Sequence, residues 1–99
     1  MSSVRRDQKR DANEPEIVDA LEAVGCTVDR LPGGSGRPDL LVGHDGMDTK
    51  MEVKMPGEKM NSLQKTYHET WKGAPIHLVF NVGEALEIVA WKRKNRRVK

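Results

Sequence analysis

Apolar positions along the chain switch between two periods. Ile17, Val18, Leu21 and Val24 recur at i, i+1, i+4 and i+7, the stripe of an amphipathic helix. Asn13 and Glu14 stand at its entry, Pro15 suits a first turn that has no use for its N–H, and Gly25 is a natural stop. Thr27–Leu31 reads as a short strand, and LPGGSGRP (31–38) as a mobile, glycine-rich loop. The period then falls to two over Pro38–Gly43 and Met47–Lys54, with Asp45-Gly46 between them, a strong two-residue turn signal. Pro56-Gly57 breaks that strand. Asn61 or Ser62 caps a second helix over about residues 62–72, with Leu63, Tyr67 and Trp71 on one face and Gly73 at its end. Ile76–Phe80 is a compact apolar strand, and residues 83–92 read as a last helix, with an extended Ile88–Trp91 as the alternative. The order αβββαβα predicts an α/β fold, a small mixed sheet flanked by helices.

Composition narrows this further. Ninety-nine residues make one small domain, with 36% hydrophobic, 4% aromatic and 32% charged residues. A chain of this size buries only about 60–65% of its unfolded surface, so the core is thin and part of the apolar surface is expected to be shared with a second subunit. No run of about 18 apolar residues occurs, which excludes a transmembrane helix. The N-terminus lacks the apolar stretch of a secretory signal. The single cysteine, Cys26, excludes an intramolecular disulfide and a zinc ribbon and points to a reducing cytoplasm.

Charge changes the picture more. The formal net charge is +2, but residues 1–10 carry a net +3, residues 92–99 a net +6, and the body between them a net −7. We expect a flexible basic arm over residues 1–12, a domain over 13–91 and a basic tail over 92–99. The ends are candidate phosphate clamps around an acidic centre, through Lys92, Arg93, Lys94, Arg96 and Arg97 in the tail.

Hairpin geometry locates that centre. Across a two-residue turn at Asp45-Gly46, Leu40 faces Met51 and Asp39 faces Glu52. Leu40, Val42, Met51, Val53 and Met55 then share the core face, while Asp39, Glu52 and Lys54 share the other with Lys50 and Asp48. Two carboxylates are thus opposed at about 5 Å, a destabilising arrangement that a bridging divalent cation relieves. Lys54 projects to the same side, where it suits a phosphate oxygen. Taken alone, Glu-x-Lys alternation is an ordinary solvated strand face, and Pro-Asp an ordinary turn dipeptide; the combination carries the chemistry.

Gly36-Arg37-Pro38-Asp39, then Glu52-Val53-Lys54, preceded by Glu-x-x-Ile-Val-x-x-Leu from Glu14 to Leu21 and followed by Leu63-Gln64, resembles the PD-(D/E)xK nucleases. More narrowly, the chain is similar to the stand-alone virus-type replication-repair nuclease (VRR-NUC) domains, relatives of Holliday-junction resolvases. The resemblance implies a restriction-endonuclease-like core and a metal-dependent endonuclease. Asp39 and Glu52 would hold Mg2+ or Mn2+ with the Val53 carbonyl, Lys54 would be the catalytic lysine, and Gln64 would orient water or a phosphate nearby. Glu14 would be the helical metal ligand, with Glu16 its rival in the same first turn because Pro15 blurs the register. It further implies branched DNA such as a Holliday junction as substrate and a homodimer as the working form. The competing readings are a non-catalytic DNA-binding module of the same fold and a sequence-specific restriction-type endonuclease.

The remaining candidates are weaker. LPGGSGRP lacks the Gly-Lys-Ser/Thr ending of a phosphate-binding loop, so it reads as a substrate-edge loop in which Ser35 or Arg37 touches phosphate. His44, His68 and His77 lack zinc spacing. His68 lies one helical turn after Gln64. Cys26 reads as a small apolar residue, and Trp71 and Trp91 as core or dimer anchors.

Overall fold

The hairpin is the frame on which the rest is hung. In a computed structural model, which describes residues 10–96, β2 (Leu40–His44) and β3 (Met47–Val53) pair antiparallel with Leu40 opposite Met51 and His44 opposite Met47. Asp45 and Gly46 take φ of 53° and 75°, the left-handed conformations of a two-residue turn whose twist matches the strands. β1 (Thr27–Arg30) adds antiparallel to β2, and β4 (His77–Val79) adds parallel to β3, giving the order β1-β2-β3-β4. The expected order αβββαβα and the small mixed sheet are present, and α2 (Ser62–Thr70) is the crossover that a parallel β3–β4 pair requires.

The core lies on one face of the sheet. Leu40, Val42, Met51, Val53 and Val79 bury their side chains against Ile17, Val18 and Leu21 of α1 (Glu14–Ala23) and Ala85 and Val89 of α3 (Val82–Asn95). Each of these Val, Leu, Ile and Met side chains contributes about 1.5–3 kcal/mol by leaving water. α1 ends as its sequence asks: Gly25, at φ 96°, donates to the Glu22 carbonyl, and Cys26 N–H donates to that of Leu21. Asn81 caps α3 by accepting from the Glu84 N–H at 2.8 Å, and the Glu84 carboxylate accepts from Phe80 N–H at 2.8 Å. Asn81→Ala is expected to cost about 1 kcal/mol of stability, read by chemical denaturation.

The loop over residues 31–38 is tied at its neck, where Leu31 N–H bonds the Asp39 carbonyl at 2.8 Å, and Ser35 and Gly36, both at positive φ, close a tight turn marked by Arg37 N–H to the Gly34 carbonyl at 3.1 Å. Trp71 and Trp91 are not core residues; Trp91 is 66% exposed. Within the basic tail, Lys92–Asn95 continue α3, since Lys and Arg are good helix formers and suit a helix C-terminus. Lys92 Nζ donates to Thr49 Oγ1 at 2.7 Å and Arg93 Nε to Asp45 Oδ2 at 2.8 Å, so both are committed to the hairpin turn. Thr49 and Asp45 in turn hold the buried His44 between them, at 2.9 Å from each ring nitrogen.

Candidate active site

Strand alternation sends Asp48, Lys50 and Glu52 to the sheet face away from the core. On an uncovered strand such side chains would be solvated. Glu52 is instead only 1% exposed, and part of its cover comes from Gln64 in the first turn of α2. The capping box of α2 does this with one amide: Gln64 Oε1 accepts from Asn61 N–H at 2.9 Å, which turns Gln64 Nε2 to donate to Glu52 Oε2 at 3.0 Å. The opening of α2 and the roof over Glu52 are therefore a single side chain. Gly36 meets the same place from the loop, with its α-carbon against the backbone of Leu63 and Gln64.

Asp39 stands one residue beyond the last β2–β3 pair, opposite Glu52, and its N–H bonds the Met51 carbonyl at 3.1 Å. Its Oδ2 accepts from Val53 N–H at 2.8 Å, which aims the carboxylate across the hairpin. Burial, followed by the neighbouring Asp39 carboxylate, pushes the Glu52 carboxyl up to about 9. Glu52 Oε1 is buried without a hydrogen-bond partner. An orphaned carboxylate oxygen beside a second carboxylate is a half-built cation site.

Both carboxylates line a cavity of about 460 Å³ with Lys54, Gln64, Arg10, Asp11, Ala12 and Glu58. Asn13 fastens its back wall, donating from Nδ2 to the Lys54 carbonyl at 3.2 Å and the Phe80 carbonyl at 2.9 Å. Asp11 and Glu58 carry no spacing signal in the sequence. Glu58 enters through a turn in which its carboxylate accepts from Met55 N–H at 2.8 Å. Burial, with the Glu58 carboxyl beside it, raises Asp11 to about 6.

The helical glutamates separate cleanly. Glu14 is buried while Glu16 is exposed. Glu14 is held from behind: its Oε2 accepts from Arg10 Nε at 2.7 Å and lies 3.4 Å from Arg30 Nε, while Oε1 has no partner. Burial raises its pKa, Arg10 opposes that rise, and the Asp39 charge adds to it. Among the described residues, no three Asp, Glu, His or Cys side chains converge into a closed cation cage. The donor set that is present suits Mg2+ or Mn2+ held by one or two carboxylates, with the other positions left to water and phosphate. Of Val53 the structure shows the amide, which serves Asp39.

The other expected residues fall in two places. Ser35 and Arg37 are exposed on the loop that leads into Asp39. Lys92, Arg93 and Arg96 gather at the hairpin turn, about 20 Å along the strand from Asp39 at 3.3 Å per residue. Lys94 is exposed near the end of α3, and Arg97 lies outside the described residues, as do Arg5, Arg6 and Lys9 of the arm. His68, in α2, is half-buried, with burial lowering its pKa and Nε2 left without a partner.

A solved structure of a VRR_NUC domain is similar to this chain, with a TM-score of 0.66 and 29% sequence identity over 78% of this chain and 89% of that one. No family model and no curated protein matches the chain.

Proposed function

We propose, from the likeness of this chain to a solved VRR_NUC domain and from its small mixed-sheet fold, that it is a divalent-metal-dependent DNA endonuclease. The observation that carries this reading is Glu52, buried opposite Asp39 with one carboxylate oxygen unpartnered. A domain that only grips DNA has no use for such a pair, because a buried carboxylate opposed to a second one costs stability unless a cation offsets them. A bound Mg2+ or Mn2+ would supply Lewis acidity toward the phosphodiester and a lowered pKa for attacking water.

The residues of the chain divide the remaining work. Asp39 and Glu52 would hold the ion, with Glu14 contributing its free Oε1 from behind. Lys54, on the cavity wall beside them, would place its ammonium against a non-bridging phosphate oxygen and offset the charge that grows there. Gln64 excludes water from Glu52 and keeps its carboxylate turned toward Asp39. Arg37 and Ser35, exposed on the adjoining loop, would meet the flanking phosphate. Lys94 and Arg97 remain candidate backbone contacts, whereas Lys92 and Arg93 would have to leave their hairpin partners to serve.

Branched DNA and a homodimer belong to the same proposal. The thin core and the exposed Trp91, beside an apolar groove of about 410 Å³ lined by Phe80 and Ile88, support a shared surface between copies. Two sites at fixed spacing suit a symmetric four-way junction.

Asp39→Ala and Lys54→Ala should each reduce magnesium-dependent cleavage by at least about a hundredfold while leaving the circular dichroism spectrum unchanged. The assay compares junction, flap, splayed and linear duplex DNA at one ionic strength. Retained cleavage in both variants would remove this site from the chemistry. DNA binding without any Mn2+ binding in calorimetry would favour the non-catalytic module instead.

A further inference from the structure

One guanidinium stitches the segment ahead of α1 to the site. Arg10 Nε donates to Glu14 Oε2 at 2.7 Å, Nη1 to the Leu31 carbonyl at 3.1 Å, and Nη2 to the Asp39 carbonyl at 3.1 Å. Leu31 and Asp39 are the two ends of the glycine-rich loop, already joined by their own backbone bond. Arg10 therefore closes the neck of that loop and fixes Glu14 with the same planar group. Three acceptors in one plane require the guanidinium fork; an ammonium cannot span them.

The alternatives leave this arrangement unmade. Glu14 is 1% exposed, so its carboxylate needs a cation close by. Arg30 is the other one, but it lies 3.4 Å away, and the described bonds tie it to neither loop carbonyl. Asp39 is steered by two bonds of its own, from its N–H to Met51 and from Val53 N–H to its carboxylate; the Arg10 bond is what couples its backbone to Glu14. Nε, Nη1 and Nη2 each donate within the protein, so three of the five N–H groups of Arg10 are engaged by the chain itself.

We propose that Arg10 is a positioning residue, setting the Asp39 backbone and the Glu14 carboxylate in the mutual geometry that receives the divalent ion. This rests on the metal-dependent reading above.

The test titrates MnCl2 into metal-free full-length wild type, Arg10→Ala, Arg10→Lys and Arg30→Ala by calorimetry without DNA, alongside thermal melts and DNA binding in EDTA. Arg10→Ala should weaken Mn2+ binding by about 10–100-fold, the usual effect of losing a partner that orients metal ligands. Arg10→Lys, which keeps the charge and the fold but not the fork, should recover less than half of that loss on a logarithmic scale. Arg30→Ala should stay within about twofold of wild type, and DNA binding in EDTA should be unchanged in the Arg10 variants. Should Arg10→Ala fail to fold, Arg10→Lys carries the comparison alone. Wild-type Mn2+ affinity in Arg10→Lys together with Arg10→Ala, or in Arg10→Lys alone if the alanine variant is unfolded, overturns the proposal. So does a loss of DNA binding with Mn2+ affinity intact, which would make Arg10 a phosphate contact. Absence of Mn2+ binding in the wild type overturns the metal-dependent reading itself, and is told apart because every variant would then match it.

Discussion

Glu52→Gln is expected to lower magnesium-dependent cleavage by about a thousandfold and, at the same time, to make the metal-free protein more stable at pH 8. Both results have one cause. Glu52 is buried with one oxygen unpartnered, and burial beside Asp39 lifts its carboxyl from the usual 4.5 to about 9. A carboxyl whose pKa is higher folded than unfolded stabilises the fold fully below about pH 4.5, and that contribution is lost as the pH rises toward 9. Asp11, raised to about 6, acts in the same direction at lower pH. Metal-free wild type should therefore melt progressively lower from pH 5 to pH 9. The glutamine variant keeps the size and the contact with Gln64, and its amide can donate to Asp39. It should melt higher at pH 8, by on the order of 1–3 kcal/mol, and show a flatter pH profile. Thermal melts in EDTA at three pH values read this directly. A wild-type melting temperature independent of pH would mean that Glu52 is already ionised without a cation, and the site would lose its strongest electrostatic argument.

The second large effect comes from a residue with no side chain. Gly36 has φ 78°, and a Cβ added there would press on the Leu63 carbonyl oxygen, 2.6 Å from its carbon and 3.0 Å from Gln64 N. The clash is with backbone, so α2 or the loop must move. Either movement pulls Gln64 from Glu52 or displaces Asp39. A misplacement of about 1 Å at a reacting group costs about a hundredfold in rate, and that is the loss expected for Gly36→Ala. Gly34→Ala is the control: its φ of 101° imposes a similar backbone penalty, yet an added Cβ meets nothing within 4 Å. Single-turnover cleavage should fall in the first variant far more than in the second, with comparable losses of stability. Equal activity in the two would show that the Gly36 approach to α2 has no part in holding the site.

The contrast between these two residues marks what the sequence could show. The hairpin register was legible because Asp45-Gly46 forces the turn, and a fixed turn fixes every pair, including the placement of Asp39 opposite Glu52. α1 was legible because a helical stripe, a proline at its start and a glycine after its end all agree. The burial of Glu52 was not legible. Strand periodicity sends it away from the core, and only segments distant in the chain, Arg10–Ala12, Glu58 and Gln64, close around it. Glu14 and Glu16 were not separable either, because Pro15 leaves the helical phase open by a residue or two; their burial separates them.

Charge runs misled in a consistent way. Arg10 counted toward a flexible arm and Lys92 and Arg93 toward a tail, because a cluster of cations looks the same in sequence whether solvated or paired. The partners lie far off along the chain: Arg10 reaches Asp39 and Leu31, Lys92 reaches Thr49, and Arg93 reaches Asp45. Composition reports how much charge a segment carries, and the tertiary fold decides how much of it is left for a ligand. Asp11 and Glu58 escaped for the same reason, since only the closed cavity brings them together.

α2 has no buried residue of its own. Its attachment is a handful of polar and aromatic contacts: Gln64 to Glu52, Gly36 beneath its first turn, and Lys50 set 4.5 Å from the Trp71 ring, which Tyr67 stacks at 5.5 Å. A helix anchored this way is cheap to release in amide-exchange terms, and its opening free energy is set by the contacts beneath it rather than by global unfolding. Because the Gln64 bond is one of those contacts, the ionisation of Glu52 and the opening of α2 are linked equilibria. Whatever neutralises or recruits that carboxylate also sets how often the roof lifts.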